Sequence, residues 1–86
     1  MEFRISQHAA TEMRRRAIAL DVVMEVLRNP QQIVMGRVGR KAYQSRIVFD
    51  DGKTYLVRVI VADEQIPSVV ITVYRTSKVA KYWRAP

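Results

Sequence analysis

The spacing of apolar positions changes period at Pro30, from helical before it to alternating after it. From Ser6 to Ile18, at roughly 100° per residue, Ala9, Ala10, Met13 and Ala17 share one side of a helix, His8, Glu12 and Arg15 share the opposite side, and Arg16 falls on the border. Ser6 is placed to cap this helix by accepting a backbone N–H. The apolar side is narrow and made of small residues, which suits close approach to a sheet. After a break near Ile18 to Leu20, Val22 and Val26, and Val23 and Leu27, recur four residues apart. Asp21 favours the start of this second helix, Arg28 its end, and Asn29-Pro30 stops it.

Met1 to Ile5 alternates weakly and reads as a short strand or as the lead-in to the Ser6 cap. Beyond Gln31, an extended stretch runs into a turn at Arg37-Val38-Gly39. Lys41 to Asp50 then alternates, with Tyr43, Ser45, Ile47 and Phe49 on one face and Gln44, Arg46 and Val48 on the other. Asp51-Gly52 is a hairpin signal, and a two-residue turn there sets Asp50 opposite Lys53, Ile47 opposite Leu56, Arg46 opposite Val57 and Ser45 opposite Arg58. That register puts Arg46 and Arg58 on opposite faces. A buried arginine calls for a carboxylate and the strands offer none, so at least one of the two should reach solvent or an open groove. Lys53 to Ala62 is nearly apolar throughout, as expected of a central strand buried on both faces.

Ala62 to Pro67 reads as an acidic turn, followed by a strand with Val69, Ile71 and Val73 on one face and Val70, Thr72 and Tyr74 on the other. Ser77 is placed to cap a last short helix, with Val79, Tyr82 and Trp83 packing back and Lys78, Lys81 and Arg84 outward. The order predicts an α+β fold in one domain, residues 1–86. Two N-terminal helices pack on a four-stranded antiparallel sheet, the helices gather on one side, and a short C-terminal helix closes the chain.

Composition narrows the chemistry. The chain has no cysteine and one histidine, which removes disulfides, thiolate metal sites and thiol nucleophiles and suits a reducing cytoplasm. No stretch is apolar for long enough to span a bilayer. The net charge of +7 is unevenly spread: no acid lies between Glu25 and Asp50, and none from Gln65 to the end. Arg40, Lys41, Lys78 and Lys81, with Arg15 on the first helix, are candidates for contact with a polyanion, RNA foremost. Neither a metal site nor a phosphate-cradling glycine loop is legible, so no cofactor is expected.

Acid–base chemistry on a charged substrate remains, and metal-independent cleavage of RNA is the reaction these groups could perform. The 2′-hydroxyl attacks its own phosphate, so a protein has to supply a base, cations for the phosphorane and an acid for the leaving oxygen. His8 is the candidate base or acid. Arg16, Arg46 and Arg58 are candidates for the developing charge, and Tyr74, Thr76 and Lys78 for orienting the phosphate or giving a proton.

Several stretches taken together resemble a bacterial family of small domains of unknown function, DUF4258. They are His8-Ala9, Met13, Arg16 and Ile18; Val23, Leu27 and Asn29-Pro30; Gly39-Arg40 and Tyr43; and Ile71 to Trp83, ITVYRTSKVAKYW. Glu12 stands where a basic residue is common in that family, and Ala17 where a glycine often turns the chain. The family is grouped with RelE-like and BrnT-like toxins and, by fold, with metal-independent ribonucleases such as barnase, EndoU and the colicin nuclease domains. The resemblance implies a RelE-like fold and a site drawn from His8, Arg16, Arg46, Arg58, Tyr74, Thr76 and Lys78. The resulting expectation is a cytoplasmic toxin-like protein that binds RNA, RNA on the ribosome included, and cleaves it without metal. Two alternatives stand beside it: a non-catalytic RNA-binding module, and an interaction module for an acidic antitoxin-like protein.

Overall fold

The computed structural model describes residues 2–85 and places eight elements in order: β1 (Phe3–Ile5), α1 (Gln7–Arg15), α2 (Leu20–Arg28), β2 (Gln32–Met35), β3 (Lys41–Val48), β4 (Thr54–Ala62), β5 (Ser68–Thr76) and α3 (Val79–Tyr82). The sheet has five strands in the order β1-β5-β4-β3-β2, not four. Strands β2 to β5 run antiparallel as expected, and β1 adds an edge strand parallel to β5, with Ile5 opposite Val70. Ser6 secures that edge. Its N–H donates to the Val70 carbonyl at 3.1 Å, its hydroxyl donates to the Ile71 carbonyl at 3.1 Å, and the same oxygen caps α1 by accepting from Ala9 N at 3.0 Å. A three-residue strand whose partner lies at the far end of the chain leaves little periodic signal. Met1, at the head of that stretch, lies outside the described residues.

Both long helices cover one face. Ala9, Met13, Ile18, Val23, Val26 and Leu27 form a single core with Tyr43, Val57, Val59, Val61, Val70 and Val73. As expected, β4 is the middle strand, and its Val57, Val59 and Val61 are fully buried. On α1 the buried face is Ala9, Glu12 and Met13, so Glu12 is not on the solvent side with His8. The inward direction is centred on Ala9, which brings Glu12 one turn on to the core boundary. The charge is tolerated because Arg15 and Arg16 meet it there at 3.1 and 3.2 Å. α1 ends when Ala17 takes a left-handed conformation, φ 53°, with Ala17 N donating to Arg14 O and Ile18 N reaching back to Met13 O at 2.8 Å. Met13 and Ile18 both enter the core across this turn, which fixes the break between the helices.

Two irregularities decide which side chains share the other face. At the β3–β4 hairpin, Phe49 N donates to Lys53 O at 3.0 Å and Gly52, at φ 78°, donates to Phe49 O at 2.9 Å. The loop is therefore Asp50-Asp51-Gly52, one residue longer than a two-residue turn. Ile47 faces Tyr55, Arg46 faces Leu56, Ser45 faces Val57 and Gln44 faces Arg58, in place of the expected pairings. A one-residue change of register exchanges the faces of a strand, so Arg46 and Arg58 lie on the same face. Between β4 and β5 the pairing passes from Ile60–Thr72 to Val61–Val70, leaving Ile71 as a bulge. Val70 and Val73 both turn to the helices, Tyr74 pairs with Arg58 on the far face, and the expected grouping of Ile71 with Val73 fails at the bulge.

α3 lies over that far face, so the helices are not all on one side. Gln44 Nε2 donates to the Tyr82 carbonyl at 3.2 Å, and the Arg46 guanidinium sits 4.2 Å from the centre of the Trp83 ring. Ser77 does not cap α3; the residue before it is Lys78, whose N–H is taken by Thr76 Oγ1 at 3.1 Å. Val79, Tyr82 and Trp83 are half-buried and Lys78, Lys81 and Arg84 exposed, as expected. Among the described residues no helix is long and apolar enough to cross a membrane.

Candidate functional site

Arg58 sits at the middle of the central strand with Gln44 and Tyr74 directly beside it on the neighbouring strands. Its Nε donates to Gln44 Oε1 at 2.8 Å, its Nη1 donates to the Tyr74 hydroxyl at 2.5 Å, and its guanidinium lies 4.5 Å from the centre of the Tyr82 ring. None of the ion pairs among the described residues includes it. A half-buried cation is thus held entirely by neutral groups: an amide oxygen, a phenol and a ring face. Tyr74 accepts from Arg58 and so keeps its own O–H proton to give to another acceptor.

The orientation of Arg58 is set by two glutamines. Gln44 is fully buried, and its Nε2 is committed to Gln32 Oε1 at 2.8 Å and to the Tyr82 carbonyl, so its oxygen turns to Arg58. Gln32 in turn binds the backbone of Arg84, donating to its carbonyl at 2.6 Å and accepting from its N–H at 3.1 Å. One chain of polar contacts therefore joins the C-terminal segment to Tyr74. Around it stand Arg46, stacked on Trp83, and Lys81, 5.3 Å from the centre of the Tyr82 ring. β3, β4, β5 and α3 contain no Asp or Glu, so the face carries basic charge with no acid of its own strands to offset it. Exposed cations over aromatic rings are worth about 0.5–1 kcal/mol each, enough to hold the side chains in place and leave their outer N–H groups to a ligand.

The structure gathers Arg46, Arg58, Tyr74 and Thr76, with Lys78 and Lys81 on the segment that follows. His8 is elsewhere: it is exposed near the start of α1, in the helix layer. Arg15 and Arg16 share that layer and are engaged by Glu12. Burial raises the Glu12 pKa, but the hydrogen bond from Arg16 and the charges of Arg15 and Arg16 outweigh it, and the net shift is downward. Arg40 is exposed on the β2–β3 turn, while Lys41 is paired with Asp63 at 2.5 Å, a hydrogen bond that raises the Lys41 pKa and lowers that of Asp63. Among the described residues no group of His, Asp or Glu comes together to hold a metal ion.

Sequence reasoning missed Gln32, Gln44 and Tyr82. The signal available was a glutamine on the same strand face as Arg46, but it gains meaning only once the register sets Gln44 opposite Arg58.

Two helices on one face of a five-stranded sheet, and an acid-free basic and aromatic cluster on the other, define this as a small mixed α+β domain. The chain belongs to the family described as domain of unknown function DUF4258, whose model matches residues 5–75. The match takes in Arg46, Arg58 and Tyr74 and stops before α3. No curated protein matches the chain, and no solved structure does.

Proposed function

We propose that this chain is a cytoplasmic, toxin-like RNA-binding protein that grips the phosphate backbone at the Arg46–Arg58–Tyr74 face. The observation that carries the reading is the half-buried Arg58 guanidinium, fixed by Gln44 and Tyr74 with no carboxylate paired to it. A cation held in this way repays its desolvation when an anion arrives, and a phosphate offers oxygens to both the guanidinium and the free Tyr74 proton. Tyr82 and Trp83 add aromatic surface beside the cations, the pairing found where single-stranded nucleic acid is bound without strong sequence preference. Lys78, Lys81 and Arg84 extend the charge along the strand's path.

Binding is favoured over cleavage through His8, because that imidazole belongs to the helix layer and the cluster to the opposite face. The test is one set of incubations of purified protein with single-stranded RNA in EDTA, run on native and denaturing gels. Retardation that weakens steeply with salt, falls about tenfold with Arg58→Met and survives His8→Ala supports the binding reading. Fragments ending in 2′,3′-cyclic phosphate that vanish with His8→Ala would replace it with a ribonuclease. The absence of both retardation and cleavage would remove RNA as the ligand.

A further inference from the structure

The outer edge of β2 is open and apolar, and the turn that follows it is basic. β2 is the last strand of the sheet. Gly36 N donates to Arg40 O, which continues the β2–β3 ladder past the strand's end. By antiparallel alternation, Gln32 and Val34 turn their backbone groups toward β3, whereas Ile33 and Met35 turn theirs outward. No described residue bonds to those outward N–H groups.

Edge strands are usually blunted by lysine, proline, a bulge or a covering loop. β2 contains no charged residue and no proline. Ile33 and Met35 are 51% and 69% exposed, α2 packing chiefly against β3 and β4. Val38, on the adjoining turn, is 95% exposed and extends the apolar strip. The other edge differs: β1 is three residues long and carries the exposed Arg4 at its centre.

We infer that the β2 edge is a docking site for an acidic, extended segment of another protein, which adds to the sheet as a further strand. Charge decides the occupant. Arg37 and Arg40 are exposed on the turn that follows β2, and the chain has no acid between Glu25 and Asp50. A second copy would bring a chain of net charge +7 against the same arginines, so self-pairing is opposed. A segment with alternating apolar residues would lay them beside Ile33 and Met35, and its terminal carboxylates would meet Arg37 and Arg40. This surface involves neither Arg58 nor Tyr74 and does not rest on the RNA reading.

The probe is a short synthetic peptide of alternating Val and Thr flanked by Glu, with a counterpart flanked by Lys, added to the isotope-labelled chain. Saturating acidic peptide is expected to slow hydrogen exchange at the Ile33 and Met35 amides about tenfold, and the Lys counterpart to leave both unchanged. Met35→Pro removes one outward N–H without breaking a ladder bond, and is expected to abolish the protection that remains measurable, at Ile33. Ile33→Asp, an exposed substitution that does not touch the core and sets a like charge against the acidic peptide, should do the same if Met35→Pro fails to fold. Unchanged exchange at both amides, equal protection by the Lys peptide, or binding confined to the Arg46 and Arg58 face would each overturn the proposal. So would a dimer of the chain alone that protects these two amides.

Discussion

Gln44 and Arg58 face one another across β3 and β4, and the amide oxygen of the first takes the Nε hydrogen of the second at 2.8 Å. Because Gln44 is fully buried, each of its polar atoms has to find a partner, and together they leave Arg58 a single orientation. Gln44→Leu would leave Arg58 Nε and the Tyr82 carbonyl without their Gln44 partner, while Gln32 Oε1 keeps the Arg84 N–H. A loss of about 1–3 kcal/mol in urea unfolding is expected, two half-buried polar groups being left unpaired. Gln44→Glu is the sharper test. It pairs Arg58 with a carboxylate but turns an oxygen on Gln32 Oε1 and the Tyr82 carbonyl, so stability should fall, while RNA affinity of the folded protein drops by about tenfold or more, the cation being already neutralised. Undiminished affinity in Gln44→Glu would separate Arg58 from the binding site.

That relationship also shows where the sequence was legible and where it was not. The period of the apolar residues located both long helices, the four longer strands and the central place of β4, because each of these buries a regular stripe. Single residues that break a period were not legible. Asp50 joining the hairpin loop moved Arg46 to the face of Arg58, and Ile71 bulging out carried Val70 over to the face of Val73. Both are local events whose cost or gain depends on the partner strand. The candidate arginines and Tyr74 could thus be named from the sequence, but their common face could not. Glu12 differs for another reason: the small apolar residues Ala10 and Ala17 draw the expected buried direction away from it, whereas the helix in fact buries the side centred on Ala9, with Glu12 and Met13 flanking it.

Ala17 closes α1 in a conformation that residues with a Cβ adopt only at a cost, φ 53°. Removing the Cβ relieves strain of about 1–2 kcal/mol, and the added freedom of glycine in the unfolded chain takes back about 0.5–1 kcal/mol. Ala17→Gly should therefore stabilise the chain, raising Tm by roughly 3–6 °C for a domain of this size. A lower Tm would mean that the Ala17 methyl group makes packing contacts worth more than the strain.

Acid should weaken the fold partly through α1. Glu12 has its pKa lowered from the ordinary 4.5, burial being outweighed by the hydrogen bond from Arg16 and the charge of Arg15. A carboxyl with a depressed folded-state pKa contributes stability that is complete above its unfolded value and is lost as the pH falls through the folded value. The Glu12 share is therefore full above pH 4.5 and declines below it. Glu12→Gln should be less stable than the parent at neutral pH, with the gap closing only under acid conditions. Asp51 and Asp63, also lowered, would add to the acid loss in both proteins and cancel in the comparison. Urea midpoints measured from neutral pH downward give the difference curve. A gap that stays constant throughout would remove the carboxylate's charge as the cause.

The two faces of the sheet make opposite forecasts for arginines that look alike in sequence. Arg46 is exposed on the strand face and stacked on Trp83, with outer N–H groups open to a phosphate. Arg15 is exposed on the helix layer and paired with Glu12 at 3.1 Å. A phosphate contact to single-stranded RNA changes the slope of log affinity against log salt by about 0.7. Arg46→Gln should reduce that slope by about this amount, with a modest loss of affinity at low salt, whereas Arg15→Gln should leave the slope unchanged. Native-gel titrations at several salt concentrations read both values. Equal reductions from both substitutions would mean that RNA responds to the net charge of the whole surface, and the strand face would lose its claim to be the site.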